Sequence, residues 1–510
     1  MKNSRTKNTI LNAVSGMAVR MFGFLSTFIT RTVFLYILGI EYAGVSSVFS
    51  DVLTVLSFAE LGIGTAITYA LYRPIAQNDE DQIVRLMSVY RKIYSTIAGV
   101  IFVLGLGVLP LLQYVITDAP TIKEDIRLIY VLYLSNTTVS YLFIYKSTFL
   151  IAAQKDYLVS KYKIVVAAFK TVTECIILLV FRSFIVYLLL SIAFSFAQNV
   201  IIARIAEREY PSLKCKSKGK LSKEEKKKLI DDTKALALYK VSGTVLNGTD
   251  SIVTSSILGT ATVGILGNYN LIANQVYYFV STLFSATSAS IGNLAATSDG
   301  EHQYRIFRRI LFIGFWIYCF CATSLWTLLN PFMFVWQNGN HIFTTSVVAL
   351  LVVEFYMKGM LSPISQFRTS NGLFIQGKYR PVIMSIINIA TSIVLAKKIG
   401  IAGVILGTII SRLSTQIWYD PWLIFRKVFG RSVAGYYVTY TGYAIITALS
   451  CWLSSTLLSA VCPQGGILQV LVGMAICVIV PNCLVVSVFG KSAYFKETIQ
   501  LIQNILKRKL

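Results

Sequence analysis

Apolar stretches recur from one end of this chain to the other. Many are long enough to cross a hydrocarbon core of about 30 Å, which takes roughly 20 residues of helix. The pattern predicts helical spans near 14–38, 44–72, 92–116, 126–151, 164–181 and 184–206. After a polar gap it predicts others near 235–258, 264–295, 308–330, 342–366, 381–396, 400–424, 435–460 and 467–489. That makes fourteen spans, or twelve to thirteen where soft boundaries merge. The expected fold class is therefore all-α and polytopic. The largest polar break, 207–232, holds eight lysines between Lys214 and Lys228 against Glu224 and Glu225. It reads as a solvated linker between two halves, or as a contact with anionic lipid at about 1 kcal/mol per basic residue. The expected division is a six-helix lobe over 1–206, a basic linker over 207–233, a second six-helix lobe over 234–428, and two extra helices with a tail over 429–510. From Lys496 to Leu510 the tail alternates apolar and basic residues, as an interfacial helix or a plain tail would.

The two halves repeat each other. Ile37-Leu38-Gly39 with Gly44 returns as Ile257-Leu258-Gly259 with Gly264, and Phe49 is echoed by Tyr269. Tyr145-Lys146-Ser147, followed by Gln154 and Tyr157, returns as Phe367-Arg368-Thr369, followed by Gln376 and Tyr379. Paired membrane repeats point to a transporter, because two similar bundles rocking against each other give alternating access to a site between them.

Composition agrees with a membrane protein: 55% of the 510 residues are hydrophobic and 14% charged. The net charge of +24 suggests nucleic acid at first, but basic residues sit in alternate loops, as the positive-inside bias predicts. The connectors near 39–43, 259–263, 330–341 and 460–466 hold no Lys or Arg. No nucleic-acid partner is expected, and both termini are expected in the cytoplasm, with the chain in the cytoplasmic membrane. The basic N-terminus reads as the first span and not as a cleaved leader, since Arg20 and Arg31 interrupt the apolar run. The eight cysteines form no CxxC pair, and with only His302 and His341 no metal set can be assembled. Asn78-Asp79-Glu80-Asp81 reads as helix-capping chemistry ahead of a metal-binding acidic triplet. A GxxxxGK[ST] loop is missing, so any driving energy would come from an ion gradient or from removal of product.

Charges inside the spans carry the functional reading, since an ionised side chain near mid-bilayer costs roughly 2.5–3.5 kcal/mol. Lys170 with Glu174, and Glu354 with Lys358, are four residues apart and can pair on one helix face. Arg20 and Arg31 lie eleven residues apart, nearly on one side of their helix and roughly 16 Å apart along its axis. No acid on that helix can satisfy them. Either they snorkel to opposite surfaces, or they face a central cavity, and Arg20 maps onto Lys240 in the second half. A cation repeated in both halves argues for an anionic substrate group, and the guanidinium fork suits phosphate. Arg20, Arg31 and Lys240 are thus the candidate substrate-binding residues. Asp250, Asp51 and Glu60 are the candidates for coupling a proton or sodium ion, unless each pairs with an arginine on a neighbouring helix. Asn270, Asn274 and Gln275 add a polar strip that reads as interhelical glue.

The segment from Asn12 to Leu38 with its two arginines, Asp51, Glu60-Leu61-Gly62-Ile63-Gly64, Asp250, the stretch Gly372 to Arg380, and the run Gly400 to Gly407 together resemble the Wzx-type polysaccharide flippases. These belong to the multidrug/oligosaccharidyl-lipid/polysaccharide exporter (MOP) superfamily. The resemblance implies a V-shaped pair of bundles that turns an undecaprenyl-diphosphate-linked oligosaccharide from the inner to the outer leaflet, for capsule, O-antigen or a related surface polymer. It also implies a cationic cavity for the diphosphate. No connector is long enough for an external catalytic domain, so no enzymatic step and no resident cofactor are expected. Polysaccharide polymerase and glycosyltransferases would be working partners, beside the lipid-linked glycan and the membrane lipids themselves. The alternative within the same architecture is an ion-coupled multidrug or cation antiporter, whose relatives place acids in the cavity.

Overall fold

A computed structural model describes residues 2–57, 63–118, 120–214, 248–285, 287–373, 376–377, 379–463 and 465–507. Among them there are helices and no strand. In chain order these are α1 (Lys2–Ile37), α2 (Ile40–Leu56), α3 (Ile63–Gln77), α4 (Glu80–Val108), the single turn α5 (Leu112–Val115), α6 (Ile126–Tyr141), α7 (Ile144–Ala152), α8 (Asp156–Phe181) and α9 (Phe184–Glu209). After the linker come α10 (248–258), α11 (Thr260–Ser285), α12 (Ser288–Thr297), α13 (Gly300–Trp336), α14 (Thr345–Met360), α15 (Ser362–Ser370), α16 (Arg380–Ile399), α17 (Ile401–Ser414) and α18 (Gln416–Ile424). The chain ends in α19 (Ala434–Val461), α20 (Ile467–Phe489) and α21 (Ala493–Lys507).

Among the described residues, ten spans are long and apolar enough to cross a membrane, or eleven if the bent pair α6–α7 counts as one. The chain is a multi-pass membrane protein. The difference from fourteen has physical causes. The apolar stretch 44–72 divides into α2 and α3, and 264–295 divides into α11 and α12, where Asn268, Asn270, Asn274 and Gln275 dilute the hydropathy. Most of the predicted span 235–258 lies outside the described residues. Phe143 takes a left-handed backbone (φ 67°), unusual for a bulky residue, and there α6 and α7 meet at 40°. The acidic run before α4 does cap a helix: Asp79 accepts a bond of 2.8 Å from the Gln82 backbone N–H.

The helices gather into two compact units, 1–264 and 265–510, with the boundary inside α11. In the first, Phe49 is fully buried and meets the Tyr130 ring edge-on, with centroids 5.2 Å apart. Its echo Tyr269 is equally buried in the second unit, 4.9 Å from Phe343, and its hydroxyl donates to Asn330 at 2.6 Å. Each repeat thus sends one ring from the same motif position into its own core. The second core is a wall of rings in which Phe315 stacks on Tyr443 at 4.0 Å. α21 is tied to α13 by Arg309 with Glu497 (2.5 Å) and by Trp316 stacked on Phe495.

The first repeated motif explains itself in space. Gly39 and Gly259 carry positive φ angles of 95° and 87°, a region that glycine enters without steric cost, and each ends one helix just before the next begins. Gly44 and Gly264 then face each other. A methyl group on Gly44 would stand 1.9 Å from the Thr260 carbonyl oxygen, and one on Gly264 would stand 2.5 Å from the Ile40 carbonyl oxygen. α2 and the start of α11 touch backbone to backbone, the small-residue packing that membrane helices favour. The carboxylate of Asp118 supports this corner by accepting from the backbone N–H of Thr260 (2.6 Å) and from its hydroxyl (2.8 Å).

Candidate functional site

The first unit holds a polar nest where α1, α2, α6, α8 and α9 converge. Arg31 on α1 is half-buried, and its guanidinium donates to the backbone carbonyls of Ala43 (3.5 Å) and Gly264 (3.4 Å). It therefore sits at the glycine seam between α2 and α11. Tyr133 and Tyr187 lie within electrostatic reach of both Arg31 and Glu174. Glu174 is 3% exposed. It meets Lys170 at 3.6 Å, as the spacing of four predicts, and accepts from the Thr30 hydroxyl at 3.4 Å. Thr30 and the two tyrosines carry no charge, so a search for costly charges passes over them; Tyr133 and Tyr187 are brought near Arg31 by tertiary packing alone.

The acids lie elsewhere in the same unit. Asp51 on α2 is half-buried and lies beside Ser251 on α10. Gly248 allows this crossing, because a methyl group there would come within 2.7 Å of Val55 and 3.2 Å of the Asp51 carbonyl. Asp250 neighbours Ser251 and is also half-buried, so the fold brings two of the three candidate coupling acids to one helix crossing. Arg20 is exposed on α1, about three turns from Arg31, and is not drawn into the nest. Lys240 and Glu60 lie outside the described residues.

The second repeated motif forms a matching ionic joint in each unit. Lys146, 7% exposed, binds Glu207 at the end of α9. Asn12 holds the following turn, donating to the Gln154 carbonyl (3.1 Å) and accepting from the Tyr157 N–H (2.8 Å). Next to it Lys155 pairs with Glu209 (2.6 Å). Burial pulls its ammonium down, but Glu209 and Tyr210 outweigh this and hold it above the ordinary lysine range. In the second unit Arg368 binds Asp420 on α18 (3.0 Å) and itself donates to the Gln376 carbonyl (2.8 Å) and the Leu373 carbonyl (3.1 Å). Arg380 binds the other oxygen of Asp420. Gln154 and Gln376 therefore use the same backbone oxygen for the same purpose, although the donors differ.

The expected pairing of Glu354 with Lys358 is corrected by the structure. Glu354 on α14 instead binds Arg412 on α17 at 2.8 Å. Lys358 turns to α11, where its ammonium donates to Asn274 Oδ1 (3.3 Å) and lies 4.2 Å from the centre of the Tyr277 ring. A residue 58 positions away outcompetes the helical neighbour, because a fork-shaped donor across the interface serves a carboxylate better than a lysine one turn along. Asn274 is thus the acceptor for a cation, beyond the interhelical glue expected of it. Sequence reasoning missed Arg412 and Asp420, though a charge inside the apolar run 400–424 was the signal that could have found them.

No protein-family profile matches the chain, and no curated protein sequence does either. Solved structures do resemble it. The lipid II flippase MurJ in an inward closed conformation superposes with a TM-score of 0.67 at 13% identity, over 94% of this chain and 99% of that one. An inward-facing multidrug resistance MATE family transporter of the MOP superfamily gives 0.61 at 12% identity, over 81% of this chain and 98% of that one. The MATE multidrug transporter DinF-BH gives 0.59 at 16% identity, over 84% of this chain and 97% of that one. The chain carries the all-helical fold of MOP-superfamily transporters.

Proposed function

We infer that the chain is a transporter that flips a polyprenyl-diphosphate-linked oligosaccharide across the cytoplasmic membrane by alternating access. One observation carries the choice of cargo: the flippase superposes on 94% of the chain, whereas the multidrug transporters above cover 81–84%. Arg31 adds a chemical reason, being a guanidinium held in the interior of an apolar bundle by carbonyl oxygens at 3.4–3.5 Å. In this reading Arg20 and Lys240 capture the diphosphate, Arg31 holds it further along the path, and the polyprenyl tail stays in lipid. Asp51, Asp250 or Glu60 would carry a coupling proton or sodium ion, and both termini stay inside. Glycosyltransferases supply the cargo and a polymerase consumes it, so the chain itself catalyses no bond change.

The test is flipping of a fluorescent short-chain polyprenyl-diphosphate oligosaccharide in vesicles containing the purified protein. Each charged hydrogen bond to the diphosphate contributes about 1.5–3 kcal/mol, so Arg31→Gln is expected to slow flipping by roughly tenfold or more. Arg31→Lys should retain part of the rate, and Arg20→Glu should abolish it. Unchanged flipping in both Arg31→Gln and Arg20→Glu would overturn the assignment. The antiporter reading draws on the two acids at the α2–α10 crossing; it predicts export of a cationic dye that survives or improves in Arg20→Glu.

A further inference from the structure

Among the described residues, two cations and one carboxylate stand close together inside spans of the second unit. Lys358 stands halfway along the 26-residue span Thr345–Ser370, and Arg412 in the first half of the 29-residue span Ile401–Phe429. Both are only partly exposed. One carboxylate, Glu354, serves them, and its contact of 2.8 Å goes to Arg412. Lys358 lies within electrostatic reach of Arg412 and Glu354, but its direct partners are the Asn274 side-chain oxygen at 3.3 Å and the face of Tyr277 at 4.2 Å. Neither of those carries a negative charge. Arg412 Nε is buried and has no hydrogen-bond partner among the described residues, although a guanidinium has five donors to place. Tyr277 lies beside Ser362, whose hydroxyl meets the Tyr318 hydroxyl at 3.1 Å.

Two like charges and one opposite charge at this depth form an unbalanced set. Intramembrane charges of this kind usually pair or mark a substrate path, because an uncompensated one costs several kcal/mol. The carboxylate is also the more accessible member of its pair, with 22% of the Glu354 side chain exposed against 12% of that of Arg412. Glu354 can therefore be exchanged for another oxyanion without first unburying the arginine.

We propose that Lys358 and Arg412 form an anion site in the second unit that takes a phosphate or diphosphate group, and that Glu354 is the internal stand-in which the ligand displaces from Arg412. The arginine offers its fork and its spare Nε–H, and the lysine offers a point charge already stripped of most of its water. The natural ligand is the diphosphate cargo inferred above, and only that identity rests on the flippase reading.

The experiment uses the full-length protein in nanodiscs and measures binding of inorganic pyrophosphate and of farnesyl diphosphate. Lys358→Gln is expected to weaken binding roughly tenfold, the scale of one charged hydrogen bond, while Lys358→Arg should retain it. Glu354→Gln is expected to tighten binding several-fold, because the competing carboxylate is gone; a purely structural ion pair would give no such gain. Since Arg412→Gln strands a carboxylate and can fail to fold, Glu354→Gln/Arg412→Gln replaces it and should bind no better than Lys358→Gln. Binding of both probes would mean the site reads the phosphate itself; binding of farnesyl diphosphate alone would mean it reads phosphate presented from lipid. Either supports the site. If Lys358→Gln and Glu354→Gln both bind as the parent does, the site is overturned, even when Arg31→Gln still impairs flipping. If the probes bind through Lys358 while the parent flips no lipid-linked oligosaccharide, the flippase reading falls and the anion site stands.

Discussion

Asp420→Ala is expected to destabilise the protein by about 3–5 kcal/mol, the cost of removing one partner from a buried ion pair. Only 1% of the Asp420 side chain is exposed, and its two oxygens are divided between Arg368, 8% exposed, and Arg380, 15% exposed. Removing the carboxylate leaves two guanidiniums facing each other at the joint between α15, α16 and α18. Arg368 keeps its bonds to the Leu373 and Gln376 carbonyls, so it cannot swing out without opening the turn that follows α15. Asp420→Asn, which keeps the shape but not the charge, should fall between parent and alanine variant. The triple replacement Asp420→Leu, Arg368→Met, Arg380→Met should recover part of the loss, because no buried charge is then left unpaired. Unfolding by a denaturing detergent, followed through helical circular dichroism, checks the series. Should Asp420→Ala unfold at the same detergent fraction as the parent, the joint contributes nothing to stability.

Gly44→Val is the second large effect. Its Cβ would stand 1.9 Å from the Thr260 carbonyl oxygen and 2.6 Å from the carbonyl carbon. Those are main-chain atoms and cannot rotate aside, so α2 and α11 must separate. That movement also lengthens the bonds that hold Arg31, because Ala43 and Gly264 supply the carbonyls on the two sides of the seam. Overpacking of this kind costs about 1–3 kcal/mol where side chains can yield, and more where they cannot. The expectation is therefore a loss above about 3 kcal/mol, together with slower transport under the function proposed above. Gly16→Ala on α1 has no atom within 4 Å of the added methyl and serves as the neutral comparison. Equal folded yields for Gly44→Val and Gly16→Ala after extraction in mild detergent would refute the backbone contact.

How far the sequence could be read depended on the range of the interaction. Periodic apolar runs report a local preference, so the long helices α4, α8, α9, α13, α19 and α20 were legible. The repeat was legible too, because identical residues recur at Gly44 and Gly264, or at Gln154 and Gln376. What that repetition does was not: the Gly44 methyl clash depends on a helix more than 200 positions away. The i,i+4 rule identified Lys170 with Glu174 correctly. It failed for Glu354 because the rule knows nothing of Arg412 on α17. The bend at Phe143 was hidden as well, since the left-handed backbone there belongs to a residue type that rarely adopts it. For the candidate site, Arg31 and Asp51 stood out as costly charges in apolar surroundings, whereas Thr30, Tyr133, Tyr187 and Ser251 became visible only as their neighbours.

The two ionic joints have a bearing on biogenesis. Lys146 and Glu207 are 61 positions apart, Arg368 and Asp420 are 52, and each bond closes within its own unit. A ribosome adding about 5–20 residues per second finishes both ends of the earlier bond on the order of tens of seconds before it finishes the chain. The leading half can thus close its own ionic joint while the trailing half is still being made. Each of these two joints finds its countercharge inside its own half as the chain enters the bilayer.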